Sequence, residues 1–395
     1  MRIAASCALA IAFVSARVAW PHAATSNTVL FDREIVAILN DHCVMCHAER
    51  ALASPLSTYE QTWLARAAVH REVLAHRMPP WPAVQGIGKF ANANALTLRE
   101  TRFVVSWVEG LGPRNAGEVF LNVQGSAARA EIQARTGFAA WRLGAPDATV
   151  ELPAAASGEP VAIGARLRAQ RVVIDLGLDS ERRLRALEYR PADRGALHAA
   201  VFMVEQTGQW LATWTPWYGY RELPEGAAFR LPAGARIVAE LHTATESPAN
   251  AELGELGLYF AKPSAQREST DIVLEASAVA AAGAQRRRLH AEIEVATELQ
   301  ALALWPQLPA GAESLEVAVR RPDGRIEVWL YALHIPLDWP TAFVLATPAE
   351  LPAGSRLSIT AYATNTLDLA DQRLRLTVST LSAAASADAN DPSPR

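Results

Sequence analysis

The chain has 395 residues, of which 50% are hydrophobic and 20% are charged. This balance excludes wholesale disorder, and the length predicts several domains. The net charge of −4 argues against a nucleic-acid-binding protein, because such proteins usually have a basic surface.

An apolar run follows Met1 and Arg2 and continues without a charge to Val14. Such a run is too short to cross a bilayer and is typical of the core of a signal peptide. Small residues near Ala24 predict cleavage there, so residues 1–24 would be a bacterial-type signal peptide and the mature chain periplasmic or otherwise exported. A retained membrane anchor is the alternative. No later segment predicts a transmembrane helix.

Two of the three cysteines lie beyond this run, at Cys43 and Cys46, in the sequence Cys-Val-Met-Cys-His that ends at His47. This is C-x-x-C-H, the attachment sequence of a c-type haem. Thiols three residues apart lie on one turn and can form thioethers with the two haem vinyl groups, while the adjacent imidazole binds the iron. A redox-active thiol pair would normally follow a strand, whereas a helical pattern precedes this pair. A structural zinc site would need more cysteines than the sequence has.

Methionine occurs at four positions, and Met78 is the candidate for the second axial ligand of the iron. The other three lie at the start of the signal peptide, inside the attachment sequence and far downstream. Met78 is followed by Pro-Pro-Trp-Pro, and prolines hold the backbone extended, which presents the side chain rigidly. Methionine opposite histidine raises the haem potential and suits electron transfer. The alternatives are His70 or His76 as the ligand, or an open sixth position with Met78 as a packing residue.

Helical patterns surround the attachment sequence. Apolar spacing predicts a helix over residues 31–40. Ser-Thr-Tyr-Glu at 57–60 predicts a capping box that opens a helix running towards Arg77. A second capping box at 97–100 predicts a helix that stops at Gly110.

This stretch, residues 28–113, resembles the mono-haem cytochrome c domains that are fused to other exported domains. The resemblance includes the Met-Pro-Pro-Trp segment at 78–81 and the Trp-Val-Glu-Gly helix end at 107–110. It implies an all-α cytochrome c domain in which the first and last helices pack across each other over the haem.

The pattern changes after residue 113, where residues 114–135 are polar and alanine-rich and read as a linker. Beyond them, short strand-like runs alternate with turns, and Leu-Pro-Ala-Gly occurs three times just before a strand, at 231–234, 308–311 and 351–354. The predicted fold class is multidomain, with an all-α cytochrome c domain followed by two tandem all-β sandwich or jelly-roll domains. The two β-domains are predicted at 136–262 and 263–382, followed by a disordered tail at 383–395.

Three segments of this second part, 141–147, 197–202 and 231–242, resemble the copper type II, ascorbate-dependent monooxygenases. That family contains the peptidylglycine and dopamine hydroxylases. The resemblance implies two β-domains with one copper each. The first copper takes an adjacent histidine pair and a third histidine, and the second takes H-x-H and a methionine.

The copper ligands are where this chain departs from that family. The histidine pair is reduced to His198 followed by Ala199, and the third histidine is kept as His242. Trp-Pro-Gln at 305–307 replaces the expected H-x-H, and no methionine follows Met203. The resemblance therefore leaves His198 and His242 as candidates for a weak residual copper site. The alternative is that both are relics within a β core.

Aromatic residues also cluster in the first β-domain, at Trp210, Trp214, Trp217, Tyr218 and Tyr220. We expect them to fill the sandwich core. Covering a haem edge or binding a partner are the alternatives.

The sequence thus supports three hypotheses of function. The first is an exported c-type cytochrome with one covalent haem that exchanges electrons with a redox partner protein, its β-domains acting as scaffold or docking modules. The second is a copper- and haem-dependent monooxygenase that receives electrons through the cytochrome domain. The third is a sensor with an open sixth position on the iron. No catalytic residue is predicted, because no phosphate-binding loop or nucleophile–base pair stands out.

Overall fold

A computed structural model describes most of the chain after the apolar N-terminal run. The predicted signal peptide, residues 116–135 of the predicted linker and the predicted tail lie outside the described residues. The described ranges are 29–48, 53–115, 141–153, 160–163, 167–193, 197–244, 252–262, 264, 267–277, 286–309, 311–336, 339–364 and 373–382.

Three helices lie in the N-terminal part: α1 (Val36–His42), α2 (Tyr59–Leu74) and α3 (Leu98–Glu109). A short π-helical turn, Phe31–Ile35, runs directly into α1. Capping boxes start α2 and α3, as the sequence predicts. The box of α2 is formed by Thr58 and Gln61, one residue later than predicted, because the Thr58 hydroxyl accepts from the Gln61 amide at 3.2 Å.

Eighteen strands make up the rest of the described structure, and they are numbered in chain order. They are β1 (Ala148–Glu151), β2 (Val161–Ile163), β3 (Leu167–Asp175), β4 (Arg182–Arg190), β5 (Leu197–Val204), β6 (Trp210–Trp214), β7 (Tyr220–Glu222), β8 (Ala227–Leu231), β9 (Arg236–Ala244), β10 (Glu255–Phe260), β11 (Arg267–Ser277), β12 (Arg286–Glu294), β13 (Leu299–Gln307), β14 (Ala312–Arg320), β15 (Ile326–Leu333), β16 (Phe343–Leu351), β17 (Arg356–Thr364) and β18 (Arg373–Ser382).

These strands form three sheets that pack as two sandwiches. A five-stranded sheet, β2-β3-β9-β5-β6, covers one half of a nine-stranded sheet, and a four-stranded sheet, β12-β17-β14-β15, covers the other half. In the first sandwich, Ile237 of β9 shares a core cluster with Leu184 of β4. In the second, Val317 of β14 shares one with Val378 of β18. The β part of the predicted fold class therefore agrees with the structure.

The nine-stranded sheet belongs to both sandwiches. Its main path is β1-β10-β4-β8-β11-β18-β13-β16, with β7 beside β4. The two halves meet at a short parallel pairing in which Arg267 of β11 lies opposite Ala227 of β8. The first core also includes Leu302 and Leu381 from the second half of the chain. The two sandwiches are thus joined by backbone hydrogen bonds between β8 and β11 and by side chains of the second half that enter the first core.

The repeated Leu-Pro-Ala-Gly sequence is closed by the same backbone bond at all three sites. In each copy the amide three residues after the proline donates to the proline carbonyl, at 3.1 Å for Pro232, 3.2 Å for Pro309 and 3.1 Å for Pro352. The glycine has positive φ, for example 65° at Gly234, a conformation that glycine adopts without a steric cost.

The prediction of an all-α domain at 28–113 is wrong. The helices have only 7, 16 and 12 residues, and the long segment between α2 and α3 consists of turns and irregular backbone that joins the β-structure through two bridges. We call this segment, residues 79–97, the strap. Prolines at its start cannot continue a helix, and its backbone groups find partners on β15 and β16 instead. For example, the Val84 amide donates to the Tyr331 carbonyl at 2.8 Å.

Candidate functional site

The predicted haem-attachment residues lie on one tight turn directly after α1. The amides of Cys46 and His47 both donate to the Cys43 carbonyl, at 3.0 and 2.9 Å. Cys43 itself is held at the helix end, because its amide donates to the Leu39 carbonyl at 2.8 Å. Both cysteines are thiols. The turn therefore places two thiols and one imidazole within five consecutive residues.

The ring of His47 is oriented by a backbone carbonyl. Its Nδ1 lies 2.8 Å from the carbonyl oxygen of Ser54, which can only accept a hydrogen bond. Nδ1 must therefore carry the proton, and Nε2 keeps its lone pair. Metal-binding histidines commonly have this arrangement, with one ring nitrogen fixed by a carbonyl and the other available to the metal. The donor set of this turn thus fits a c-type haem.

Cys43 packs against a small apolar cluster, which we call the helical cluster. It is formed mainly by residues of the three helices and their flanks, among them Ile35, Val73, Leu96 and Trp107. Burial raises the pKa of the Cys43 thiol to about 12, with a further contribution from Cys46. A thiol that stays protonated at neutral pH is a poor nucleophile, which disfavours a redox-active thiol pair.

Met78 lies on the wall of a cavity of about 380 Å³ between α2, the strap and the second sandwich. We call it the Met78 cavity. Val73 and Leu96, which also line it, belong to the helical cluster that holds Cys43. The cavity wall that carries Met78 therefore shares two residues with the apolar cluster against which Cys43 packs. Much of the remaining wall is also apolar: Pro79, Trp81, Pro82, Ala83, Val84, Ala95, Leu98 and Leu333.

The strap fixes the chain that follows Met78. Ala83 forms a bridge with Ala332 of β15, and Phe90 forms one with Leu345 of β16. Trp81 is buried, and its ring lies 5.2 Å from the ring of Phe343. The second sandwich therefore determines where the Met78 segment lies.

The two histidines predicted as alternatives to Met78 differ in their positions. His76 lines the Met78 cavity, two residues before the methionine. His70 lies on α2 with its Nε2 3.6 Å from the carboxylate of Glu109 at the end of α3. Of these two, only His76 shares the cavity wall with Met78.

His198 and His242 come together on neighbouring strands of the first sandwich. His242 pairs with Ala199, and a β-bulge between Leu197 and Ala199 accommodates His198. The ring of His198 stacks on the buried Trp339 at 3.6 Å between centroids. Burial, with a smaller contribution from the nearby His242, lowers the pKa of His198 from 6.5 to about 4.

The surroundings of this histidine pair do not fit a resident copper. His242 directs Nε2 towards Glu240 at 3.2 Å, and Glu240 also pairs with Arg171 at 3.0 Å. These contacts lower the pKa of Glu240, with the hydrogen bond from His242 as the largest cause. Within the described residues, no group of three or more His, Cys, Asp or Glu side chains is arranged to hold a metal ion. Copper sites usually combine more imidazole or thioether ligands than these two.

The segment expected to hold the second copper lies between the two sandwiches. Trp305 is buried, and its ring stacks on Trp210 of β6 at 5.5 Å. Trp305 and Gln307 line a cavity of about 160 Å³ together with Glu240 and Trp339. The segment therefore contributes packing between the sandwiches.

The aromatic residues of the first sandwich have two locations. Trp210 and Trp214 are buried in β6. Trp217 faces the strap, where its indole N–H donates to the Asn92 carbonyl at 3.2 Å. Its ring also lies 5.3 Å from that of Trp339.

Sequence reasoning gives His334 only a structural or surface role, whereas in the structure it lines the Met78 cavity from the end of β15. No local pattern marks this histidine, because its place beside Met78 depends on the pairing of the strap with β15. Within the described residues, no helix combines the length and the apolar character needed to cross a membrane.

Comparisons with known proteins add no functional argument. No family model matches the chain, and no curated protein matches it. The major capsid protein P2 of bacteriophage PM2 is 10% identical over 61% of this chain and 98% of its own, with a TM-score of 0.27. Tandem CBM51 modules of a family 98 glycoside hydrolase from Streptococcus pneumoniae are 10% identical over 60% of this chain and 88% of their own, with a TM-score of 0.18. Similarity this low does not support even a shared fold.

The assignment to a cytochrome c domain fused to a copper-monooxygenase-like region is therefore wrong. No family model or curated relative supports it, and the helices do not form an all-α domain. The short segments that suggested the second family have a structural explanation. Trp141, for example, packs so closely on Gly257 that a β-carbon at 257 would lie 2.8 Å from its ring.

Proposed function

We propose that this protein is an exported electron-transfer protein that carries one covalently bound c-type haem. The observation that carries the proposal is the turn after α1. There Cys43 and Cys46 lie on the same turn. The Ser54 carbonyl oxygen lies 2.8 Å from Nδ1 of His47 and holds the ring in the tautomer that leaves Nε2 available.

Each residue of the proposed site has a separate role. The thiols of Cys43 and Cys46 would hold the haem covalently as thioethers, and the Nε2 atom of His47 would be a ligand of its iron. Met78 would be the second protein ligand, through its thioether sulfur, and much of the wall around it is apolar. When bound, the haem supplies a reversible one-electron couple, and a thioether ligand favours a high potential.

The two sandwiches act as a scaffold or docking module in this proposal. Their contribution to the site is visible in the strap, whose residues Trp81 and Phe90 pack on Phe343 at 5.2 and 5.3 Å. A surface scaffold of this kind offers area for a redox partner protein, while the haem anchors stay on the turn after α1.

Covalent attachment is tested on the mature protein made in a host that matures c-type haem. We expect haem to stay with the polypeptide after denaturation, with a mass increase of one haem. Cys43→Ser combined with Cys46→Ser should lose it, and Met78→Ala should keep it as the matched control. A colourless mature protein with two alkylatable thiols would contradict the proposal.

Measurements on the same haem-loaded protein distinguish an electron carrier from a ligand sensor. A carrier should show a reversible one-electron couple and, when reduced, only slow binding of carbon monoxide. Rapid binding would indicate an open sixth position and favour the sensor hypothesis.

Copper analysis tests the monooxygenase alternative. The neighbours of His198 and His242 do not fit a resident copper, so we expect well below one copper per chain after dialysis. Near-stoichiometric copper that is lost in His242→Ala would favour the enzyme instead.

A further inference from the structure

Three side chains able to bind haem iron share the wall of the Met78 cavity. His76 and Met78 follow α2, whereas His334 comes from the second sandwich, at the end of β15. All three are exposed side chains, and much of the surrounding wall is apolar. The cavity therefore has one ligand-type side chain that sequence position alone would never associate with Met78.

The backbone of His334 is in an unusual conformation. Of the described residues other than glycine, only His76, Leu111 and His334 have positive φ, and the value at His334 is 52°. Non-glycine residues in this region are uncommon and concentrate at functional sites.

The positive φ of His76 has an ordinary explanation that His334 lacks. His76 directly follows the end of α2, and its amide donates to the Val73 carbonyl at 3.1 Å, while that of Arg77 donates to Glu72 at 2.9 Å. This pair of bonds is a Schellman motif, in which the residue after the helix adopts positive φ. His334 terminates a strand, where no such motif requires the conformation.

Two backbone bonds fix the end of β15, one made by Leu333 and one by His334. The Leu333 amide donates to the Pro82 carbonyl of the strap at 3.0 Å, and the His334 amide donates to the Glu313 carbonyl of β14 at 3.1 Å. The turn at the end of β15 is thereby tied both to the strap that follows Met78 and to its own sheet. This arrangement keeps the His334 side chain at the cavity wall.

We propose that His334 is a second, competing axial ligand on the Met78 side of the iron. The inference rests on the haem proposed above and extends it. Exchange of the Met78 thioether for an imidazole nitrogen moves no electron, but it lowers the reduction potential of the iron, because methionine raises that potential relative to histidine. The second sandwich would then set which potential the haem has.

The test uses the full-length holoprotein and three variants. In Met78→Ala we expect the oxidised iron to stay low-spin and six-coordinate, with the spectrum of two imidazole ligands and a lower midpoint potential. Adding His334→Ala should remove this ligand, which gives a high-spin iron and rapid binding of carbon monoxide. Met78→Ala with His76→Ala is the matched control and should stay low-spin. Electron paramagnetic resonance and visible spectra report the ligands without any activity assay.

Two outcomes would overturn the inference. A high-spin iron in Met78→Ala alone would mean that His334 does not reach the iron. A low-spin iron that persists without His334 but is lost without His76 would identify His76 as the ligand. Both outcomes leave the covalent haem in place, whereas failure of the proposed function itself would give a protein without haem.

Discussion

The buried carboxylate of Glu188 holds the segment that leads into β1 against the first sandwich. Glu188 is fully buried on β4 and accepts from the amides of Arg142 and Leu143 at 2.8 and 3.1 Å. The Tyr259 hydroxyl donates to the same carboxylate at 3.2 Å. The side chain therefore joins β4, β10 and the segment that leads into β1.

Glu188→Ala should lower the free energy of unfolding by about 2–3 kcal/mol, because it removes charge-assisted bonds from partly buried donors. Glu222→Ala is the control, since its ion pair with Arg185 at 2.7 Å is exposed and worth at most about 1 kcal/mol. Urea denaturation followed by circular dichroism measures both. Equal effects in the two variants would contradict this role for Glu188.

His198 should make stability depend on pH in a defined window. Its pKa is about 4 in the folded protein, against 6.5 as the ordinary value, chiefly because of burial. Between pH 6.5 and about 4 the unfolded chain takes up a proton that the folded chain does not. Stability should therefore be complete above pH 6.5 and fall as the pH drops to about 4, by at most about 1.4 kcal/mol per pH unit from this site.

Replacing the titrating group tests this expectation. His198→Gln should show a shallower decrease in the unfolding free energy over that window than the wild type, with chelator present in both samples. Denaturation curves at half-unit intervals give the slopes. Identical slopes would show that His198 is not the group responsible.

At the scale of elements, the strap is the feature on which the candidate site depends most. Trp81 anchors it, with 8% of its surface exposed and its ring against Phe90 and Phe343. Trp81→Ala should cost about 3–5 kcal/mol of stability, as expected for removal of a buried tryptophan. In the haem-loaded protein it should also weaken the methionine-to-iron charge-transfer band.

The control for this variant is Leu64→Ala on α2, where the side chain is 76% exposed. That change should stay within about 0.5 kcal/mol and leave the band intact. Thermal unfolding and the visible spectrum of the oxidised protein provide the two readouts. A Trp81→Ala protein with wild-type stability would show that the strap is not held by this ring.

The parts of the structure that sequence reasoning anticipated are local ones. The turns at Leu-Pro-Ala-Gly and the cap at Thr97 depend on residues a few positions apart, so their chemistry is readable directly. The strap is different, because Asn92 bonds to Ala342 across 250 residues. Helical spacing on both sides suggested an all-α domain, whereas tertiary pairing joins the intervening irregular segment to β15 and β16.

The same contrast holds for the candidate site. Cys43, Cys46 and His47 lie within five residues, so their joint role is readable as a haem-attachment prediction. The tautomer of His47 depends on the Ser54 carbonyl, and the place of His334 on the wall of the Met78 cavity depends on β15. The histidine pair was anticipated as a pair, but the bulge at His198 and its stacking on Trp339 were not.

For the whole molecule, the shared nine-stranded sheet predicts cooperative unfolding of the two sandwiches. β8 and β11 are paired across their junction, and Leu302 and Leu381 of the second half complete the first core. Separation of the halves would expose those leucines to water. Differential scanning calorimetry should therefore show one transition for the β-structure, with equal calorimetric and van't Hoff enthalpies. Two resolved transitions would contradict this coupling.

The strap also determines how much of the edge strands β15 and β16 is accessible to other molecules in solution. β15 is the last strand of the four-stranded sheet and β16 the last of the nine-stranded sheet, and the bridges at Ala83 and Phe90 cover one strand each. Uncovered strand edges recruit strands from other molecules and lead to aggregation. A single N-terminal segment thus covers part of two such edges, so a chain that loses it would be more prone to polymerise through its own sheets.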